Sequence, residues 1–201
     1  PFAQCFWYLC FMNVLIVSAT TQEVQTDFPH LVTGVGMVAT AIGVTKSLAK
    51  KDYDLVINVG VAGSFNRSLQ IGQVVEVVKD QLSEVGAQDG LQFLTPKEIA
   101  LPVLTEVEGL PQTHLTAVSG ITVNTVHGDD MAIQKIVHRL NPQVESMEGA
   151  ACMLACQEAG LPCVQIRAVS NYVEKRNKAN WNMALAIANL NKELAHFLAT
   201  L

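Results

Sequence analysis

Short runs of apolar, mostly β-branched residues recur along this chain, separated by stretches with helical patterning. Residues 14–17, 54–59, 115–118 and 163–169 are such runs. A run without polar alternation reads as a strand covered on both faces, and strands that alternate with helices build a parallel sheet. The expected fold is therefore α/β, three layers (α/β/α) around a central mixed, largely parallel sheet. Helices are expected over residues 37–50, 130–140, 149–159 and 181–198. Asp129 or Asp130 would cap the second, and Gly160 and Pro162 would stop the third. Residues 81–113 carry Gly and Pro and read as a hairpin with loops.

With 201 residues, half of them hydrophobic and 15% charged, the chain can bury one full core. Residues 12–201 read as one domain. The net charge of −5 gives no electrostatic reason to expect nucleic acid. Residues 1–11 lack the basic start of a signal peptide and the ~20 apolar residues of a membrane span. They read as an extension of unclear origin, with an atypical targeting or membrane-surface segment as the alternative. The five cysteines, at 5, 10, 152, 156 and 163, include no CxxC pair. Cys152 and Cys156 stand one helical turn apart with no His nearby, so they read as buried thiols rather than metal ligands. The odd count argues against a disulfide framework and for a reducing, cytoplasmic setting. No metal or cofactor is expected.

Ligands of open α/β sheets bind at strand ends, and two motifs fall there. Met147-Glu148-Gly149-Ala150 puts a carboxylate where a strand turns into a helix, among small apolar residues. Such a carboxylate needs a partner, either the helix N-terminus or ligand hydroxyls. About 20 residues on, Arg167-Ala168-Val169-Ser170-Asn171 closes an apolar strand on a Ser-Asn pair. Together they suggest one small-molecule site. Gly60-Val61-Ala62-Gly63 follows a strand and reads either as a simple turn or as a ligand loop of closely approaching N–H groups. Gly34-Val35-Gly36 looks like half of a dinucleotide fingerprint. Asp54, the acid at the required spacing, precedes its strand, so a tight strand-to-helix turn is the preferred reading. Glu23 taken alone reads as a solvated side chain.

Residues 144–151 and 163–171 resemble the nucleoside phosphorylase/nucleosidase superfamily, whose pattern is V-E-x-M-E-x-A followed by R-x-[IV]-S-[DN]. The opening strand with Glu23-Val24, the Gly34-Val35-Gly36 turn and Asn58-Val59-Gly60-Val61-Ala62-Gly63 match that family in order and spacing. Ser170-Asn171 in place of Ser-Asp, with Tyr172-Val173-Glu174 and Trp181, is most similar to the futalosine hydrolases within it. The methylthioadenosine/adenosylhomocysteine nucleosidases are relatives. The resemblance implies a homodimer or higher homo-oligomer that acts on a small nucleoside, without nucleic-acid or membrane partners. It implies Glu148 on the ribose hydroxyls, Met147 beside the sugar and Glu23 activating water. Val123 and Asn124 would meet the purine, Ala62 and Gly63 would line the substrate loop, and Arg167 would hold the local network. Asn171 would stand where an Asp usually faces purine N7.

An Asn cannot pass a proton to N7, but its NH₂ can donate hydrogen bonds. Hypoxanthine offers two acceptors on that edge, N7 and O6, which suits an amide. The expected reaction is hydrolysis of futalosine to hypoxanthine, as in menaquinone biosynthesis. Aminofutalosine or methylthioadenosine hydrolysis and purine nucleoside phosphorolysis are the alternatives. Phosphorylases use arginines and a Ser to hold phosphate. Here residues 18–25 hold no Arg, and Val61 stands where a hydroxyl would help. Lys175, Arg176, Lys178 and His127 are candidates for the carboxylate of a futalosine-type substrate.

Overall fold

The structure, a computed structural model, describes residues 12–201; the readings of residues 1–11, with Cys5 and Cys10, lie outside it. The strands are β1 (Val14–Ser18), β2 (His30–Val32), β3 (Leu55–Ser64), β4 (Val74–Leu82), β5 (Ala87–Asp89), β6 (Gln92–Leu94), β7 (Glu106–Glu108), β8 (Thr116–Thr122), β9 (Val144–Ser146) and β10 (Cys163–Tyr172). The α-helices are α1 (Met37–Leu48), α2 (Asp130–Leu140), α3 (Gly149–Glu158) and α4 (Met183–Leu198). Asp129 caps α2 by accepting from Ala132 N–H at 2.9 Å, as its sequence position suggested. Asn141 ends the same helix in the left-handed region, φ 46°. Residues 81–113 supply the β5–β6 hairpin and the short strand β7.

The sheet is mixed. β1 pairs in parallel with β2 and β3, β3 with β10, and β8 with β4 and β9. The antiparallel pairings are β4–β10, β3–β9 and β4–β7. Because β10 pairs with both β3 and β4, the strands β10-β4-β8-β9-β3 close into a ring. Closure leaves these five strands no open edge at those pairings, unlike the open sheet expected from the sequence.

The side chains of β1 show how the layers form. Val14 and Ile16 join Ile57, Ile166 and the α4 residues Ala186, Leu190, Leu194 and Phe197 in one core. Leu15 and Val17 face the other way, with Val56, α1 residue Val44 and α3 residues Cys152 and Cys156. Period-two alternation thus sends successive β1 residues to opposite helical layers. A third cluster, with Ala62, Val75, Val77, Val118, Val144 and Val169, draws on all five ring strands. Among the described residues, no helix is long and apolar enough to cross a membrane.

Polar groups are also buried in this core. Asp80 accepts from Thr122 Oγ1 at 3.1 Å and from Gln165 Nε2 at 3.0 Å. Gln165 Oε1 in turn accepts from Arg167 Nε at 3.0 Å. Gly149 opens α3 against this chain; a Cβ there would collide with Gln165 Oε1 and Asp80 Oδ2. Burial pushes the Asp80 carboxyl up to about 6, despite the hydrogen bonds from Gln165 and Thr122 and the charge of Arg167. Folded Asp80 therefore binds its proton more tightly than the unfolded chain does. The resulting stability is full below about pH 4 and is lost as pH rises through about 6. Titration of this group should cost about 3 kcal/mol between pH 4 and 7. Urea unfolding at a series of pH values should show that fall, and Asp80→Asn should flatten it; an unchanged slope would remove Asp80 as its source.

Candidate functional site

Three charged side chains meet where β1, β3, α3 and β10 come together. Arg167, on β10, is fully buried. Its guanidinium donates to Asn58 Oδ1 on β3 and, through Nε, to Gln165 Oε1. Glu148 lies 3.9 Å away, Oε2 to Nη1, with its side chain 9% exposed. Glu148 holds the N-cap position of α3 yet makes no capping bond with its own helix. Its Oε1 accepts from Gly36 N–H at 3.0 Å. That bond explains the Gly34-Val35-Gly36 turn. Gly36 adopts φ +100°, which favours glycine, and so aims its amide at Glu148 from the start of α1.

Glu23 follows β1 and is buried rather than solvated. Thr20 donates to its Oε2 twice, from N–H at 2.9 Å and from Oγ1 at 3.1 Å. Asn191 of α4 ties down its backbone by donating to the Glu23 carbonyl at 2.9 Å. The other oxygen, Oε1, lies over Gly60: a Cβ at Gly60 would sit 2.9 Å from it and would overlap Arg167 Nη1. Glycine at 60 is therefore what lets a carboxylate and a guanidinium share this spot. Nearby, burial holds the His30 imidazole below its usual value against the opposing pull of Glu23, and its Nε2 lies 2.9 Å from Ser18 Oγ.

Gly60-Val61-Ala62-Gly63 is neither a turn nor a loop; it is the second half of β3, paired along its length with β10. Gly60 and Gly63 are two bare patches on one strand, ~10 Å apart at ordinary strand rise, and strand alternation turns them to opposite faces of β3. At the second patch a Cβ would lie 3.4 Å from Asn171 Nδ2 and 3.5 Å from Glu145 Cγ. The β3–β10 register shifts between Val169 and Asn171, a bulge that turns Asn171 toward Gly63. Ser170 Oγ donates to Asn171 Oδ1 at 2.8 Å, and Asn171 Nδ2 donates to Tyr172 O at 2.9 Å. The amide is thus oriented with one N–H still to give.

Asn171 and Gly63 line a small cavity together with Glu145, His127, Arg176 and Trp181. Glu145 is buried and accepts from His127 twice, at 3.0 Å from N–H and 2.7 Å at Nδ1. Glu145 is the first acid of the V-E-x-M-E-x-A pattern, and sequence reasoning assigned it no role. An acid inside the short strand expected over residues 144–147 was the signal. Arg176 packs over the Trp181 ring, 5.4 Å from its centre. Lys175 and Lys178 do not line the cavity.

The remaining residues singled out from sequence have partners of their own. Val123 is fully buried against Ile121 and Ile136, and its N–H donates to Ser146 O at 2.9 Å. Met147 packs on the same cluster. Asn124 is exposed and donates twice to Glu84 Oε2, from N–H at 2.9 Å and Nδ2 at 2.8 Å. Ala62 is buried, and its carbonyl accepts from Ser170 Oγ at 3.3 Å. Arg67 donates to Glu174 Oε2 at 2.6 Å and stacks on Tyr172.

The arrangement is thus a carboxylate–guanidinium–carboxylate group at one patch and an oriented amide in a cavity at the other. Comparison with known proteins gives the chain a family. The chain is 28% identical over 188 residues to the futalosine hydrolase of Thermus thermophilus, covering 87% of this chain and 82% of that one. It is 33% identical over 178 residues to the futalosine hydrolase of Acidothermus cellulolyticus, covering 82% and 72%. Its fold matches the 5′-methylthioadenosine/S-adenosylhomocysteine nucleosidase of Colwellia psychrerythraea, solved in complex with adenine, with a TM-score of 0.76 at 20% identity over 94% of this chain and 96% of that one. The family model of the phosphorylase superfamily matches residues 29–200, and the chain belongs to that superfamily.

Proposed function

We propose that this chain is a nucleoside hydrolase that cleaves the N-glycosidic bond of futalosine and releases hypoxanthine, a step in menaquinone biosynthesis. The observation that carries the reading is the group of Glu148, Arg167 and Glu23 gathered at Gly60, beside the β10 strand whose end carries the oriented amide of Asn171. Breaking the bond develops positive charge on the ribose and negative charge on the purine. Glu148 is suited to accept from the ribose hydroxyls, because Gly36 N–H and Arg167 hold it in place. Glu23 is suited to hold and deprotonate water at Oε1, because Thr20 occupies Oε2. The net negative charge of the three groups favours an oxocarbenium-like ribose.

Asn171 is suited to the base. Its remaining N–H can donate to N7 or O6 of hypoxanthine. In a cavity built to donate, an exocyclic amine would leave polar groups unpaired. Met147, Val123 and Asn124 stand behind the sugar and base in this reading, Val123 and Asn124 through their backbone. His127 and Arg176 share the cavity of Asn171, which supports a role at the base rather than at a carboxylate on the 5′ substituent. Water is the nucleophile in this reading, supported by the absence of Arg from residues 18–25, by Val61 where a hydroxyl would help, and by the engagement of Arg167 with Asn58 and Gln165 and of Arg67 with Glu174. Assembly into a homodimer or higher homo-oligomer belongs to the same reading, supported by Val38 and Ile42, which α1 leaves exposed. Methylthioadenosine or aminofutalosine hydrolysis is the second reading, favoured by the fold match to the Colwellia nucleosidase.

Incubation with futalosine, aminofutalosine, methylthioadenosine and inosine, with and without phosphate, separates these readings. Hypoxanthine release from futalosine without phosphate is expected; adenine release alone, or strict phosphate dependence, contradicts it. Glu23→Gln should lower kcat by about 10²–10⁴-fold, the usual share of a general base. Asn171→Asp should move the ratio of kcat/KM values toward the aminopurine substrates, and an unmoved ratio would take Asn171 out of base recognition.

A further inference from the structure

Away from the site, three sulfur atoms converge. Cys152 and Cys156 stand one turn apart on α3, and Cys163 is the first residue of β10. Their Sγ atoms all lie within 4.8 Å of one another. The sequence pairs only the first two; the turn at 159–162 brings the third alongside. Cys152 and Cys156 are fully buried, against Leu15, Val17, Val44 and Val56. Cys163 is half-buried as a residue.

We propose that these three thiols form a binding site for a soft monovalent metal ion, Cu(I), in trigonal all-sulfur coordination. The donor set chooses the ion. Thiolates favour soft cations, and the surroundings are apolar, with no histidine or carboxylate in the group among the described residues. Structural zinc sites take four ligands in tetrahedral geometry, and this cluster supplies three. A disulfide would join two of the sulfurs and leave the third, whereas one trigonal ion uses all three. Binding replaces three S–H bonds with three S–Cu bonds, releases the thiol protons to solvent and leaves the oxidation state of copper unchanged. The site joins α3, which begins beside Glu148, to β10, which carries Arg167 and Asn171. Loading it therefore ties together the two elements that hold the candidate site.

The test uses the full chain under anaerobic conditions, with Cu(I) titrated against a chromogenic Cu(I) chelator. A Cys5→Ser/Cys10→Ser variant removes the other two cysteines and should still take one Cu(I) per chain. Adding Cys163→Ser to it should weaken Cu(I) binding by at least about tenfold, as loss of a ligand requires. Circular dichroism of the metal-free variants checks that they are folded. One equivalent of Cu(I) should raise the Tm of the Cys5→Ser/Cys10→Ser protein, and Zn(II) should raise it less. Binding lost with Cys5 and Cys10, or unchanged by Cys163→Ser, overturns the proposal. Should Cys163→Ser fail to fold, X-ray absorption on the Cu(I)-loaded Cys5→Ser/Cys10→Ser protein decides. Three sulfur neighbours are expected, and nitrogen or oxygen neighbours overturn the site.

Discussion

A guanidinium sealed inside a ring of strands sets the terms for everything around it. Left alone, the buried charge of Arg167 would be costly. Asn58 and Gln165 take its hydrogen bonds, Glu148 stands 3.9 Å off, and Glu23 faces it across Gly60. Each of these residues then needs its own support. Gly36 N–H holds Glu148, Thr20 holds Glu23, and Asp80 backs Gln165. The buried charge thus propagates outward as a set of positional demands on β1, β3, β4, α1 and α3. Replacing one partner would leave the others uncompensated, so the cluster behaves as a unit.

The closed ring converts these demands into a site with two ends. β3 runs beside β10 for most of its length, and glycines at 60 and 63 clear two places on it. Charge collects at the first. At the second, the bulge after Val169 turns an amide into a cavity also lined by Glu145 and His127. Apolar packing of Val14, Ile16, Ile57 and Ile166 on α4 keeps both strands in place. The chemistry is therefore set by backbone register as much as by side-chain identity.

Much of this was legible in the chain itself. Unbroken apolar runs marked the buried strands because such runs fit only a sheet covered on both faces. Glu148 stood out because a carboxylate among small apolar residues needs a partner, and it has two. Other features depend on contacts between distant segments. Nothing local shows that β10 pairs with both β3 and β4, so ring closure was not legible. Glycines that suggest a loop lie inside β3, where they make room for Arg167, Glu23 and Asn171. Glu23 looked solvated until α4 and Thr20 were seen to enclose it. The third thiol of the cysteine cluster is seven residues from the second, across a turn that sequence spacing does not fold.

The central claim is that one ligand meets Asn171 with its base and Glu148 with its sugar. A crystal structure with hypoxanthine and ribose bound tests it most directly. The expected result is Asn171 Nδ2 within hydrogen-bond distance of N7 or O6, and Glu148 accepting from the ribose hydroxyls. A base bound away from Gly63, or a sugar that leaves Glu148 facing only Gly36 and Arg167, would contradict the account.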